Sequence, residues 1–173
     1  MKKDGTAYAI QARPVFGEAP CDYFDVRIHA VPEHLEGRIG KDGDGIVIGT
    51  AFVTHMNLAD YDADSWRGDI DRHKDAVTEV LHECQEDGSV WHTHIESLDL
   101  EPGWEDADMT VIRILLDRAG DGSVSFTPYE DEPTPEQVVR WSSLGLDLRN
   151  GGVLYATNNI ARIRMTPRAY RSV

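Results

Sequence analysis

Residues 100–119 read LEPGWEDADMTVIRILLDRA. The stretch reads as the end of a strand, a polar loop and then an amphipathic helix through VIRILLDRA, with Asp106 or Asp108 placed to cap it. A strand-to-helix junction of this kind exposes unpaired backbone N–H groups and about half a positive charge, which suits an anion. Glycines and arginines usually complete such a cradle. Here the loop carries Glu105, Asp106 and Asp108 instead.

The chain around this junction is ordinary in size and unusual in charge. Its 173 residues are enough for one domain spanning 1–173, with 40% hydrophobic and 8% aromatic residues. Lys and Arg total 17 against 31 Asp and Glu, a formal net charge of −14. Such a field repels phosphates, so direct nucleic-acid binding is disfavoured, and basic protein partners are favoured. There is no run of 18 apolar residues and no long apolar segment near the N-terminus, so no membrane partner is expected. Cys21 and Cys84 form neither a disulfide framework nor a CxxC metal knuckle, which makes a reducing cytoplasm the expected location.

Before the junction, Ala7 to Val15, Tyr23 to Val31 and Ile46 to Met56 read as strands. The second alternates Phe24, Val26, Ile28 and Ala30 with polar residues, and the third is nearly all apolar. GKDGDG (residues 40–45) reads as a turn, and the three strands as an antiparallel meander. Ile70 to Glu83 carries Ile70, Ala76, Val77, Val80 and Leu81 at helical spacing, and Gly88 to Leu100 is a strand. After the junction come a strand in SVSFTPYE and a short helix with Thr134 as N-cap and Pro135 at its first position. GGVLYAT and IARIRMT read as two closing strands. The order β-β-β-α-β-α-β-α-β-β predicts an α/β fold, a central mixed β-sheet flanked by helices.

With LDLEPGWEDADM at the loop, RWSSLGL at the end of the third helix and a terminal hairpin after it, this order resembles the GNAT superfamily of acetyltransferases. The polar DADSWRGDI segment is similar to acidic loops of some members, and the likeness spans roughly residues 7 to 165. In that family a V-x-P-x-x-R-G-x-G-x-G/A loop holds the pyrophosphate of acetyl-CoA. The resemblance assigns that loop to Gly103, Trp104, Glu105, Asp106, Ala107, Asp108 and Met109. Gly103 remains, the arginine's place is held by Glu105, and no further glycine lies between Asp106 and Met109. A carboxylate about 5 Å from a phosphate costs roughly 3 kcal/mol at an effective dielectric near 20. Loss of the arginine adds roughly 1.5–3 kcal/mol. Even halved by solvent, that total weakens a micromolar ligand about a hundredfold.

The family's Y-x-x-L-G-F tyrosine, general acid in many members, is matched by Trp141, whose indole N–H does not transfer protons at neutral pH. Trp141 reads as a core aromatic, and Tyr129 and Tyr155 lie outside the matching word. In WHTHIES, His92, His94 and Glu96 fall on one face of a strand. Zinc could use such a face, but no metal site is assigned. A base acting through water on an amine is the family's use of this strand, with Glu96 the first choice and His94 the second. His82 and Glu83 do not complete an HExxH motif, because residue 86 is glutamate. Cys84 reads as a buried structural thiol.

The expectation is a GNAT-like domain with a degraded acetyl-CoA site and no bound cofactor. It would act as an acidic binding or inhibitory protein on a basic protein partner, a role open to bacterial or phage proteins. Two rivals stand beside it. One is an active acetyl-CoA-dependent N-acetyltransferase, and the other a scaffold that pairs through its terminal strands.

Overall fold

The computed structural model describes residues 6–15, 17, 20–39, 45–66, 71–119, 122–127, 133–148 and 154–156. Strands β1 (Thr6–Val15), β2 (Cys21–Pro32) and β3 (Ile46–Asn57) precede α1 (Asp71–Glu86) and β4 (Trp91–Leu100). Then come α2 (Asp108–Ala119), β5 (Ser123–Phe126), α3 (Pro135–Ser142), β6 (Asp147–Leu148) and β7 (Leu154–Ala156). The strands form one sheet in the order β1-β2-β3-β4-β5-β7-β6. β4 and β5 are parallel, and the other neighbours are antiparallel. The mixed sheet flanked by helices is the expected class.

The elements follow from local chemistry. In β2, Val26, Ile28 and Ala30 are buried while Asp25 and Arg27 are exposed, the period-2 pattern of a strand with one buried face. α1 buries Ala76, Val77, Val80, Leu81 and Cys84 on one stripe. It ends in a Schellman motif: Ser89 N–H donates to Cys84 C=O, Gly88 N–H donates to Gln85 C=O, and Gly88 takes φ +76°. α3 starts with a capping box in which Thr134 Oγ1 accepts from Gln137 N–H while the Gln137 side chain accepts from Thr134 N–H. Pro135 occupies its first turn, as expected.

Two helical layers cover opposite faces of the sheet. α2 and α3 cover one face, where Ile28, Ile48, Ile95, Ile112, Leu116, Phe126, Trp141 and Leu146 form the larger core. α1 and the segment before it cover the other, with Met56, Leu58, Trp66, Val77 and Leu81. Trp141 is 2% exposed and meets Phe126 edge to face at 5.2 Å between ring centres, so it is a core aromatic.

The terminal strands differ from expectation. GGVLYAT supplies β7, and the two-residue β6, Asp147–Leu148 directly after α3, is a strand that the apolar pattern does not predict. The Gly145 turn at φ +81° reverses the chain at once after α3, so strand pairing starts earlier than the apolar pattern suggests. IARIRMT, the GKDGDG turn except Gly45, Ile70 and Tyr129 lie outside the described residues. Among the described residues, no helix is long and apolar enough to cross a membrane.

Candidate functional site

The strand-to-helix junction is present between β4 and α2, and its loop is a tight turn. Trp104 N–H donates to Glu101 C=O at 3.0 Å, with Pro102 and Gly103 at the central positions and Gly103 at φ +89°. That is the residue pattern of a type II turn, which needs a positive φ at its third residue. Gly103 is explained by the turn.

Five of the junction's amides donate within the chain. Gly103 N–H donates to both carboxylate oxygens of Glu105, at 3.0 and 2.9 Å. Ala107 N–H donates to Trp104 C=O, and Asp108 N–H to Glu105 C=O. Met109 N–H donates to Asp108 Oδ1 at 2.6 Å, and the same oxygen accepts from the Arg140 guanidinium of α3. The Gly103 N–H holds the Glu105 carboxyl below the usual glutamate range. Acidic side chains thus stand as internal anions at a helix start that favours negative charge.

The remaining loop residues serve packing or solvent. Ala107 is buried, Met109 and Trp104 are half-buried against the larger core, and Trp104 meets Tyr8 edge to face at 6.4 Å. Asp106 is exposed.

β4 carries the second group of predicted residues. It pairs with β5 over only four positions, His92↔Ser123 to Ile95↔Phe126, and then runs on to Leu100. At the end of that ladder the β3–β4 register skips Glu96, since Val53 faces Ile95 and Phe52 faces Ser97. A bulge of this kind re-aims the side chain it inserts. Glu96 is half-buried on the α1 face and accepts from Thr54 Oγ1 at 3.3 Å, while Thr127 Oγ1 donates to its backbone carbonyl. Tyr23 lies on the same face. Burial first, and then the neighbouring Cys21, push its phenol up to about 12.

His94 does not share Glu96's setting. It is 2% exposed, with Nδ1 2.7 Å from Ser125 Oγ and its ring edge-on to Trp66 at 5.0 Å. Burial, with a smaller contribution from His73, lowers it to about 3, so it is neutral at physiological pH. His92 is equally enclosed. Its Nδ1 lies 2.7 Å from Ser123 Oγ, its Nε2 2.8 Å from Ser125 Oγ, and Cys84 Sγ 3.6 Å from Nδ1. Burial drives its pKa well below the usual value. Among the described residues no three His, Cys, Asp or Glu side chains are grouped to hold a metal ion.

This His–Ser layer has a sequence signal that goes unread when each strand is considered alone. WHTH and SVS both alternate with period 2, and parallel pairing in register sets His92 opposite Ser123 and His94 opposite Ser125. Gln85 Nε2 donates to Leu58 C=O and Tyr61 C=O, at 2.9 and 2.8 Å, which ties the loop before α1 to that helix, and Trp66 of the same segment meets His94. His82 binds Asp64 at 3.0 Å on the surface, away from this layer.

No protein-family model, curated protein or solved structure matches the chain significantly.

Proposed function

We propose that the chain is a GNAT-like domain whose acetyl-CoA junction is closed by its own carboxylates, and that it works as a non-catalytic acidic binding or inhibitory protein. The observation that carries this reading is the internal use of the junction amides. Gly103, Trp104, Ala107, Asp108 and Met109 all donate within the chain, two of them to the carboxylates of Glu105 and Asp108. A diphosphate would have to displace those carboxylates and lie beside them, against both the hydrogen bonds and the Coulomb term. The strand-to-helix joint, the parallel β4–β5 pair and α3 leading into a hairpin support the GNAT-like assignment. The net charge of −14 favours a basic protein partner over nucleic acid.

Thermal denaturation with acetyl-CoA tests this. A working site at a hundredfold excess over its dissociation constant would add about 2.7 kcal/mol of stability. We expect no shift at millimolar acetyl-CoA, and a saturable shift would overturn the reading.

One observation favours a second reading, an active N-acetyltransferase. Glu96 sits in a bulge where β4 runs past the β5 ladder, half-buried and beside Thr54, which suits a general base. In that case acetyl-CoA binds through other groups, and Glu96→Gln abolishes turnover while leaving the acetyl-CoA shift intact.

A further inference from the structure

On the sheet face shared with α2, near the helix's C-terminal end, the structure forms a half-open pocket of about 320 Å³. Its walls are mainly apolar: Ile10, Phe24, Val26, Val53 and Ile95 from four adjacent strands, and Leu115 from α2. A cavity of about 150 Å³ with such walls is enough for benzene, so this one admits a ring or a short chain with a head group.

Two polar features mark its rim. Arg118, in the last turn of α2, lines the cavity and gives one N–H to Gly37 C=O. Among the described residues no carboxylate lies within salt-bridge distance of Arg118. A guanidinium has five donors, so most of them remain for a ligand. At the opposite end His55 lines the cavity with its ring flat against Trp91, at 5.0 Å and 5°. Its Nδ1 is engaged with Thr93 Oγ1 at 2.9 Å, which fixes the ring plane. Burial keeps the imidazole neutral, so Arg118 is the cation of the rim.

A guanidinium with no carboxylate partner among the described residues, set over an apolar pocket, selects for a ligand that brings one negative charge on a compact apolar body. Cationic ligands are repelled by the Arg118 guanidinium at the rim, and polyanions by the overall negative field, so one negative charge is the favourable number. The negative end of the α2 dipole stabilises the guanidinium in the last turn, so the attraction for a carboxylate comes from Arg118 itself and not from the helix. We propose that this cavity is a binding site for a small apolar carboxylate, an aromatic or short-chain acid, with its body between the sheet and Leu115 and its carboxylate on Arg118. The site shares no residue with the β4–α2 junction and stands or falls separately from the proposed function.

Titration with benzoate and hexanoate, followed by the methyl NMR signals of Ile10, Val26, Val53, Ile95 and Leu115, tests it directly. Both acids should shift those methyls saturably, and the neutral benzamide and hexanamide should bind roughly tenfold more weakly. Arg118→Gln, an exposed change that leaves the core intact, should remove that tenfold preference without changing amide binding. Ala12→Phe, which adds bulk at the pocket's exposed β1 edge, should weaken all four ligands, with melting temperature checked to confirm the fold. Absence of methyl shifts at millimolar acid overturns the site. Equal binding of acid and amide, or an Arg118→Gln protein that keeps the preference, overturns the assigned chemistry.

Discussion

The carboxylate of Glu105 accepts the backbone N–H of Gly103 through both of its oxygens, at 3.0 and 2.9 Å. A side chain two residues downstream thereby fills the place that an external anion would take at the start of α2. Because that N–H holds Glu105 below the usual glutamate range, the interaction has a predictable pH signature. The contribution is full above the unfolded-state value and is lost as pH falls through the lowered folded-state value. Melting curves in the acid range should therefore fall less steeply for Glu105→Gln than for the parent chain. Identical acid profiles would rule out a role for this carboxylate.

Gly103 is set by its turn, and the space around it is open: an added Cβ meets nothing within 4 Å. Its φ of +89° is what an L side chain resists. Gly103→Ala should cost about 1–2 kcal/mol from backbone strain alone. Chemical denaturation measures this, and a neutral substitution would mean that the turn relaxes.

The His92–His94 layer should make the protein acid-sensitive well above the carboxylate range. Both folded-state values are depressed, His94 to about 3, while an unfolded histidine titrates near 6.5. Stability from each is present above about 6.5 and declines as pH falls towards the folded value, by up to about 1.4 kcal/mol per pH unit for each histidine. Urea midpoints at pH 7 and pH 5 should differ, and His94→Gln should flatten the slope. An unchanged slope in that variant would count against the burial seen here.

Ser125 Oγ serves two rings at once, at 2.8 Å from His92 Nε2 and 2.7 Å from His94 Nδ1. Ser125→Ala strands polar nitrogens in a buried layer and should cost about 1–3 kcal/mol. Hydrogen exchange of the β4 and β5 amides would show whether the loss stays local or loosens the parallel pair.

Trp141 is 2% exposed and buried edge-on against Phe126. Trp141→Ala should cost about 3–5 kcal/mol, a core-cavity effect. A variant that melts like the parent would show that the α3 packing is dispensable.

The residues alone determined the element order, because apolar spacing and local punctuation act over a few positions. Alternation in β2, the stripe of α1 and the Thr134–Pro135 helix start could all be read without long-range contacts. So could the placement of Glu105, Asp106 and Asp108 at the β4–α2 joint. Tertiary structure decided what those residues meet. The Gly103–Glu105 chelate and the Arg140 pairing of Asp108 depend on how the turn and α3 pack. Pairing across β4 and β5 turned His94 from a possible base into a neutral core residue, since burial outweighs its intrinsic basicity. The pocket beside Arg118 is lined from four strands and α2 together, so no single segment of sequence could reveal it. Two separate pieces of sequence, 147–148 and 154–156, make the β6–β7 pair, where a two-residue strand is too short to leave a hydrophobic period.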